Sequence, residues 1–241
     1  MREKRIITAA LTGSIHTPSM SPYLPVTPEQ LIEEAVRAYE AGAAVAHVHV
    51  RNPETGLPCA DQELFRTVAA GVKKRCDMVV CCTTGGRLGE LVENRVRVVA
   101  SLSPELATLN AGSLNFALFH IADNYTEWKY DWEQNYLQAS EDFIFPNTFL
   151  TMRQFLERFA PQSTKPEFEI YDTGMINNLA FLIEKGIVKK PVYLQFVMGI
   201  LGGIPATIEN FVFLLESARK AIGDFQFSVC AAGRTQFNLC T

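Results

Sequence analysis

The amino-acid sequence predicts an α/β fold, a TIM (β/α)8-type barrel that lacks its eighth strand. Short apolar runs alternate with helical patterns, which is typical of βα units around a parallel sheet. The chain has 241 residues, 48% of them hydrophobic and 20% charged, and this composition supports one large core. Only seven candidate strands can be counted, whereas a closed barrel of this type has eight. We predict a single domain over residues 1–241.

Four strands are predicted in the first half of the chain. They are expected at residues 6–11, 45–50, 78–83 and 106–109. A helix should begin after the first strand, because Thr27 can cap it, Pro28 suits its first position and Gln30 completes a capping box. A second helical pattern covers residues 64–72.

The second half supplies three more strands and an insert. The insert, at about residues 118–146, is polar and aromatic and has no clean period. Strands are expected at residues 167–171, 192–198 and 225–231, and helices at 149–159, 173–185 and 207–222. The last helix is predicted to bury Ile208, Phe211, Val212, Leu215 and Ala218.

Charge and cysteine usage exclude several classes of function. The net charge is −4, which argues against a nucleic acid or an anionic membrane as partner. No apolar stretch reaches the roughly 20 residues of a membrane span, and the N-terminus has the pattern of a first strand rather than a secretory signal. The six cysteines form no C-x-x-C pair, which indicates a reduced compartment. We expect a cytoplasmic protein.

The sharpest local feature is the pair of histidines in the second strand. Strand side chains alternate between faces, so His47 and His49 should point one way and Val48 and Val50 the other, towards the helices. Two imidazoles placed in this way are natural ligands for zinc. A pair of hydrogen-bonded core histidines is the structural alternative.

Other polar groups follow the ends of predicted strands. Thr83 and the glycines at 85 and 86 form a turn whose backbone can approach an anion, although an ordinary βα turn has the same pattern. Thr108 and Asn110 share a face at the end of the fourth strand. Glu167 and Glu169 share a face of the fifth, where a charged group needs a partner, a metal or a substrate, and one of them could equally form a structural ion pair.

Six segments together resemble the β-keto acid cleavage enzyme family, whose best-known type is 3-keto-5-aminohexanoate cleavage enzyme. They are TAALTG at 8–13, HVHVR at 47–51, TTGG at 83–86, ATLNAG at 107–112, EIYDTGM at 169–175 and QFVMG at 195–199. The resemblance covers nearly the whole chain except the insert.

The resemblance implies a (β/α)8 barrel with Zn2+ at its C-terminal mouth and acetyl-CoA as co-substrate. Such enzymes convert a β-keto acid and acetyl-CoA into acetoacetate and an acyl-CoA, with the metal polarising the keto acid. By matching position, His47 and His49 are the metal ligands. The expected substrate contacts are Thr83, Gly85, Gly86, Thr108, Asn110 and Glu169. Relatives of this kind form homo-oligomers, which we expect here too.

Two departures from the family pattern bear on function. The type enzyme has an acidic residue that meets a substrate amine, and Ile15 occupies about that position here, so a different side chain on the substrate is implied. The family's catalytic Arg and its adjacent Glu and Asp correspond to positions beyond Thr241, so no catalytic group is assigned within this sequence. Arg234 is a candidate contact for a CoA phosphate.

Two other functions remain open at this point. One is a different metal-dependent hydrolase or aldolase on the same barrel, which would require neither acetyl-CoA nor a β-keto acid. The other is an inactive, truncated scaffold, which would bind no zinc.

Overall fold

A computed structural model describes residues 5–233 and 236–239. The strands are β1 (Thr8–Ala10), β2 (Val45–Val48), β3 (Val50–Arg51), β4 (Pro58–Cys59), β5 (Val79–Cys82), β6 (Leu106–Asn110), β7 (Leu114–Asn115), β8 (Ile144–Phe145), β9 (Lys165–Ile170), β10 (Tyr193–Met198) and β11 (Gln226–Ala231). The α-helices are α1 (Pro28–Glu40), α2 (Gln62–Arg75), α3 (Val92–Leu102), α4 (Trp132–Gln138), α5 (Phe149–Phe159), α6 (Thr173–Glu184) and α7 (Ile208–Ile222).

Seven of these strands form the main sheet, in the order β1-β2-β5-β6-β9-β10-β11. Strands β1, β2, β5 and β6 pair parallel in this order, as do β9, β10 and β11. This alternation of strands and helices confirms the predicted α/β class. Within the described residues, no eighth strand joins the sheet. No helix in that part of the chain has the length and apolar character needed to cross a membrane.

The chain divides into two compact units. The first comprises Met1–Ala107, Tyr125–Tyr136 and Pro161–Lys165. The second comprises Thr108–Asn124, Leu137–Ala160 and Pro166–Thr241. The predicted insert is therefore shared between the units.

The first unit has its core between the sheet and the helices α1 and α2. Ala46 and Val48 of β2 are fully buried and belong to this core. The helices contribute Leu31, Ala35, Phe65, Val68 and Val72. Because β2 is extended, the residues between the core positions face the other side of the sheet. This pattern sets the direction of the two histidines.

Apolar and polar residues alternate along β9 and β10 of the second unit. Phe168 and Ile170 lie on one face of β9, and Leu194 and Phe196 on one face of β10, all of them buried. Phe196 makes edge contacts with the rings of Phe211, Phe225 and Phe227. The polar residues of the same strands occupy the opposite face.

Two predicted strands are shorter in the structure, and one helix was not predicted. The strand expected at 45–50 ends at Val48, because Val50 and Arg51 pair antiparallel with β4. The strand expected at 6–11 is shorter, and Ile6 and Ile7 are 73% and 56% exposed. Helix α3 was not predicted, since its valines have low helix propensity and no side chain caps its N-terminus.

The predicted inward face of the last helix was correct for Ala218 and wrong for two other residues. In α7, Ile208 and Val212 are 57% and 50% exposed. The buried residues are Leu214, Ala218 and Ile222, with the i, i+4, i+8 spacing of one helical face. All of α7 is rich in apolar residues, so sequence periodicity did not separate the two faces.

Candidate active site

The two histidines of the first unit converge. The Nε2 atoms of His47 and His49 lie 3.1 Å apart, and both side chains are half-buried. Val48 and Val50 belong to the helix-facing core, so the imidazoles occupy the opposite face of the sheet. This arrangement follows directly from the alternation of an extended chain.

The nitrogen separation suits a zinc ion. Two Zn–N bonds of 2.0–2.1 Å at a tetrahedral angle place the nitrogens about 3.3 Å apart. His47 lies opposite Cys81 in the sheet register, and the Cys81 Sγ is within 4.8 Å of a ring nitrogen of His47. The Nδ1 of His47 is buried and has no hydrogen-bond partner among the described residues. An N–H···N hydrogen bond between the rings also has this length, so the geometry accommodates both arrangements.

Burial keeps both imidazoles neutral. It lowers the pKa of His47 to about 4. The pKa of His49 is also well below its usual value, through burial first and then through the charges of His47 and Arg51. A neutral imidazole is the form that binds a metal, so at pH 7 neither ring needs to lose a proton first.

The loop after β5 lies beside this pair. Thr83 donates its backbone N–H to the Val48 carbonyl at 3.0 Å, which places it next to His49. Its hydroxyl accepts the Gly85 N–H at 2.9 Å. Gly86 has a φ of +67°, and a Cβ there would lie 2.9 Å from Glu90. The turn therefore requires glycine at 86, and the Gly85 N–H already donates to Thr83.

Two buried arginines were missed by the sequence reasoning. Arg95 is 1% exposed, and its Nε donates to the carbonyl of Thr84 at 2.6 Å, which holds the β5 loop. Arg51 is fully buried and binds the loop after β1. Burial lowers the pKa of Arg51 to about 10, so its guanidinium stays protonated at neutral pH. The HVHVR segment contained Arg51, but its partners in the loop after β1 lie over 30 positions away in the sequence.

Part of the insert packs on the same loop. The Tyr136 hydroxyl donates to the Ser14 carbonyl at 2.9 Å. The buried Glu133 carboxylate accepts the N–H and the hydroxyl of Ser19, at 2.8 and 2.9 Å. The Trp132 Nε1–H donates to the Thr55 carbonyl at 3.1 Å, in the turn between β3 and β4. These contacts give Trp132 and Tyr136 of the insert a structural role.

The second unit holds the remaining candidate substrate contacts. The Tyr171 hydroxyl donates to Glu169 Oε2 at 3.2 Å. Burial and the Glu169 charge raise the pKa of Tyr171 well above its usual value, so it remains a donor. Thr108 and Asn110 are fully buried, and the Asn110 amide lies close enough to Tyr171 to lower its pKa in part. Tyr171 was not proposed as a site residue from the sequence. Arg234 lies outside the described residues.

Comparison with known proteins gives a consistent family assignment. The family model described as "beta-keto acid cleavage enzyme" matches residues 4–241. The chain is 41% identical over 241 residues to a 3,5-dioxohexanoate:acetyl-CoA acetone transferase of Paraburkholderia graminis, covering 100% of this chain and 78% of that protein. It is 36% identical over 236 residues to a 3-keto-5-aminohexanoate cleavage enzyme of Acetoanaerobium sticklandii, covering 98% and 76%.

A solved structure supports the fold. The apo structure of ObcA, a TIM-barrel-like protein, aligns with a TM-score of 0.66 at 18% identity. The alignment covers 91% of this chain and 53% of that one, so the chain spans about half of the ObcA length. The TIM-barrel-type fold is thereby confirmed. From the family model and the identity to curated relatives, the chain belongs to the β-keto acid cleavage enzyme family.

Proposed function

We propose that this chain is a zinc-dependent enzyme that converts a β-keto acid and acetyl-CoA into acetoacetate and a new acyl-CoA. In this exchange the acyl group of the keto acid moves to CoA, and the acetyl group joins the released two-carbon carboxylate. The observation that carries the metal requirement is the 3.1 Å separation of the His47 and His49 Nε2 atoms. The names of the relatives support the co-substrate.

Each histidine contributes one neutral nitrogen to the proposed metal site. Bound zinc supplies Lewis-acid stabilisation of negative charge on the keto oxygen of the substrate. The lowered pKa values of His47 and His49 prevent protons from competing for the ring nitrogens near neutral pH. Thr83 directly follows β5 and lies next to His49, and its hydroxyl is the proposed donor to a polar group of the substrate.

Glu169 and Tyr171 form a second set of proposed contacts. Tyr171 stays protonated and donates to the Glu169 carboxylate, which fixes one of its oxygens. The other oxygen can then accept a hydrogen bond or a proton from the substrate. Asn110 and Thr108 extend this polar face with groups that hydrogen-bond but carry no charge.

The proposed substrate carries an uncharged side chain. Ile15 stands where the type enzyme has an acidic residue, and an isoleucine offers no counter-charge to a substrate amine. The Paraburkholderia relative is named for 3,5-dioxohexanoate, whose side chain is a neutral ketone. Both points favour a neutral keto acid over a cationic one.

Acetoacetate production with three keto acids tests this proposal. The zinc-loaded protein is incubated with acetyl-CoA and 3,5-dioxohexanoate, 3-keto-5-aminohexanoate or 3-oxoadipate, which differ in side-chain charge. We expect the neutral substrate to give the largest kcat/KM, and Ile15→Glu to raise the relative kcat/KM of the amine about tenfold. No acetoacetate from any of the three would overturn the proposal.

A reaction without acetyl-CoA supplies the control. A hydrolase would consume the keto acid equally fast when acetyl-CoA is omitted. The proposed exchange requires the thioester, so keto acid loss should stop. Continued consumption would assign the chain to another reaction class.

A further inference from the structure

We propose that Arg51 is a positioning residue that fixes the loop of residues 12–20, and with it Ile15, beside the histidine pair. This inference rests on the proposed function, because it gives Arg51 a part in substrate recognition. It concerns a residue that touches neither the proposed metal ligands' nitrogens nor the reacting atoms.

The guanidinium of Arg51 holds the loop at three residues. Its Nε donates to the Thr12 hydroxyl at 3.0 Å. Its Nη2 donates to two carbonyls, those of Gly13 and of His16, the latter at 2.7 Å. Ser14 and Ile15 therefore form an arch closed at both ends by one nitrogen atom.

The same side chain joins this arch to the turn after the histidine strand. Nη1 of Arg51 donates to the Gly56 carbonyl at 2.8 Å, between β3 and β4. His49 lies between β2 and β3, and Arg51 ends β3 two residues later. The same short stretch of backbone therefore carries His49 and the anchor of the loop.

Side chains of the insert hold the rest of the loop. Tyr136 binds the Ser14 carbonyl, and Glu133 binds both polar groups of Ser19. The carbonyls of Gly13, Ser14 and His16 are thus committed to protein donors. The side chain of Ile15 is the part of the arch to which the proposal assigns substrate recognition.

The chemistry of arginine suits positioning better than packing. Burying a charged group is costly, and an apolar residue would fill the same space at less expense. The planar guanidinium donates hydrogen bonds in several fixed directions, so it can orient several carbonyls at once, which a lysine ammonium cannot do in the same geometry. The four acceptors named above are neutral oxygens of the loop or the turn, so these contacts give geometry rather than charge neutralisation.

Three substitutions at the arch test the inference, with one control. Thr12→Val removes one hydrogen-bond acceptor and keeps the shape of the side chain. Arg51→Lys keeps the positive charge but not the planar guanidinium, and Arg51→Met removes both. Lys73→Met is the control, because Lys73 holds the Met78 carbonyl and Glu105 at the opposite ends of the strands in the same unit. All four proteins are compared by Tm, zinc content, and KM and kcat with the preferred keto acid.

We expect the arch variants to lose substrate recognition while retaining zinc. Arg51→Met should lower kcat/KM about 100-fold, the loss that a displacement of about 1 Å produces, with little recovery in Arg51→Lys. Thr12→Val should raise KM about fivefold, corresponding to one hydrogen bond. Lys73→Met should lower Tm but leave KM unchanged. If Thr12→Val and Arg51→Lys change Tm alone, as the control does, Arg51 is structural and the inference is wrong.

Hydrogen exchange separates this outcome from failure of the proposed function. Amides of residues 13–20 should exchange slowly in the unmodified protein and faster in Thr12→Val, whatever reaction is catalysed. Equal exchange rates in the two proteins would show that the hydrogen bonds of Arg51 do not hold the loop, and would overturn the inference. A protected loop in a protein that makes no acetoacetate would instead place the error in the proposed function.

Discussion

The imidazole of His47 in β2 meets that of His49, just after β2, because an extended chain turns every second side chain the same way. Their convergence at 3.1 Å could be expected from the spacing of His47 and His49, and the buried valines between and after them fix the face. Burial also lowers the pKa of both rings, which the spacing of the residues does not predict. Both rings are neutral well below pH 7.

Stability of the metal-free protein should depend on His47 in acid. The pKa of His47 falls from 6.5 to about 4 on folding, so the unfolded chain binds the proton first. The free energy of unfolding should therefore fall as the pH is lowered from 6.5 to 4, because the unfolded chain takes up the proton and the folded one does not. The loss from this residue should reach about 3 kcal/mol. Urea unfolding at pH 7 and pH 4 should show a smaller loss in His47→Gln than in the unmodified protein. The exposed His120 supplies the control, and a loss of equal size in His47→Gln and His120→Gln would contradict the expectation.

Arg51 marks the limit of prediction at the level of residues. An arginine two positions after a histidine pair gives no sign that it will be fully buried. Its partners, Thr12, Gly13 and His16, are 35 to 39 positions away and are brought near only by the pairing of β1 with β2. The same holds for Glu133 and Ser19, which are 114 positions apart.

Among the elements, helices with local start signals were predicted well. The capping box of α1 forms as expected, with the Thr27 hydroxyl accepting from Gln30 N–H at 3.3 Å and Gln30 accepting from Thr27 N–H at 3.0 Å. Helix α5 has the predicted bounds. Helix α3 has no such cap, and the strand at 45–50 divides because β4 pairs with its end. Neither feature has a local signal.

Thr27→Ala should weaken the first unit without affecting the site. Loss of the capping hydroxyl should lower the free energy of unfolding by about 1 kcal/mol. Thr67→Ala is the matched control, because Thr67 is an exposed residue inside α2 and alanine is the better helix former. Denaturant unfolding measures both. Equal stability of the two variants, or loss of zinc in Thr27→Ala, would contradict this account of α1.

For the molecule as a whole, the alternation of apolar runs and helical patterns was sufficient to predict the α/β class. The seven strands of the main sheet are the seven that were predicted. The small pairs β3-β4 and β7-β8 and the division into two compact units depend on contacts between distant segments, so periodicity did not reveal them. Homo-oligomer formation stays a prediction, which light scattering after gel filtration would test.

Zinc content is the most direct test of the claim that two imidazoles of one strand bind the metal. The protein and its His47→Ala/His49→Ala and His120→Ala variants are purified together, loaded with zinc, dialysed and measured by mass spectrometry of the metal. We expect about one zinc per chain in the unmodified protein and in His120→Ala, and close to none in the double variant with its circular dichroism unchanged. Stoichiometric zinc in the folded double variant would contradict the assignment.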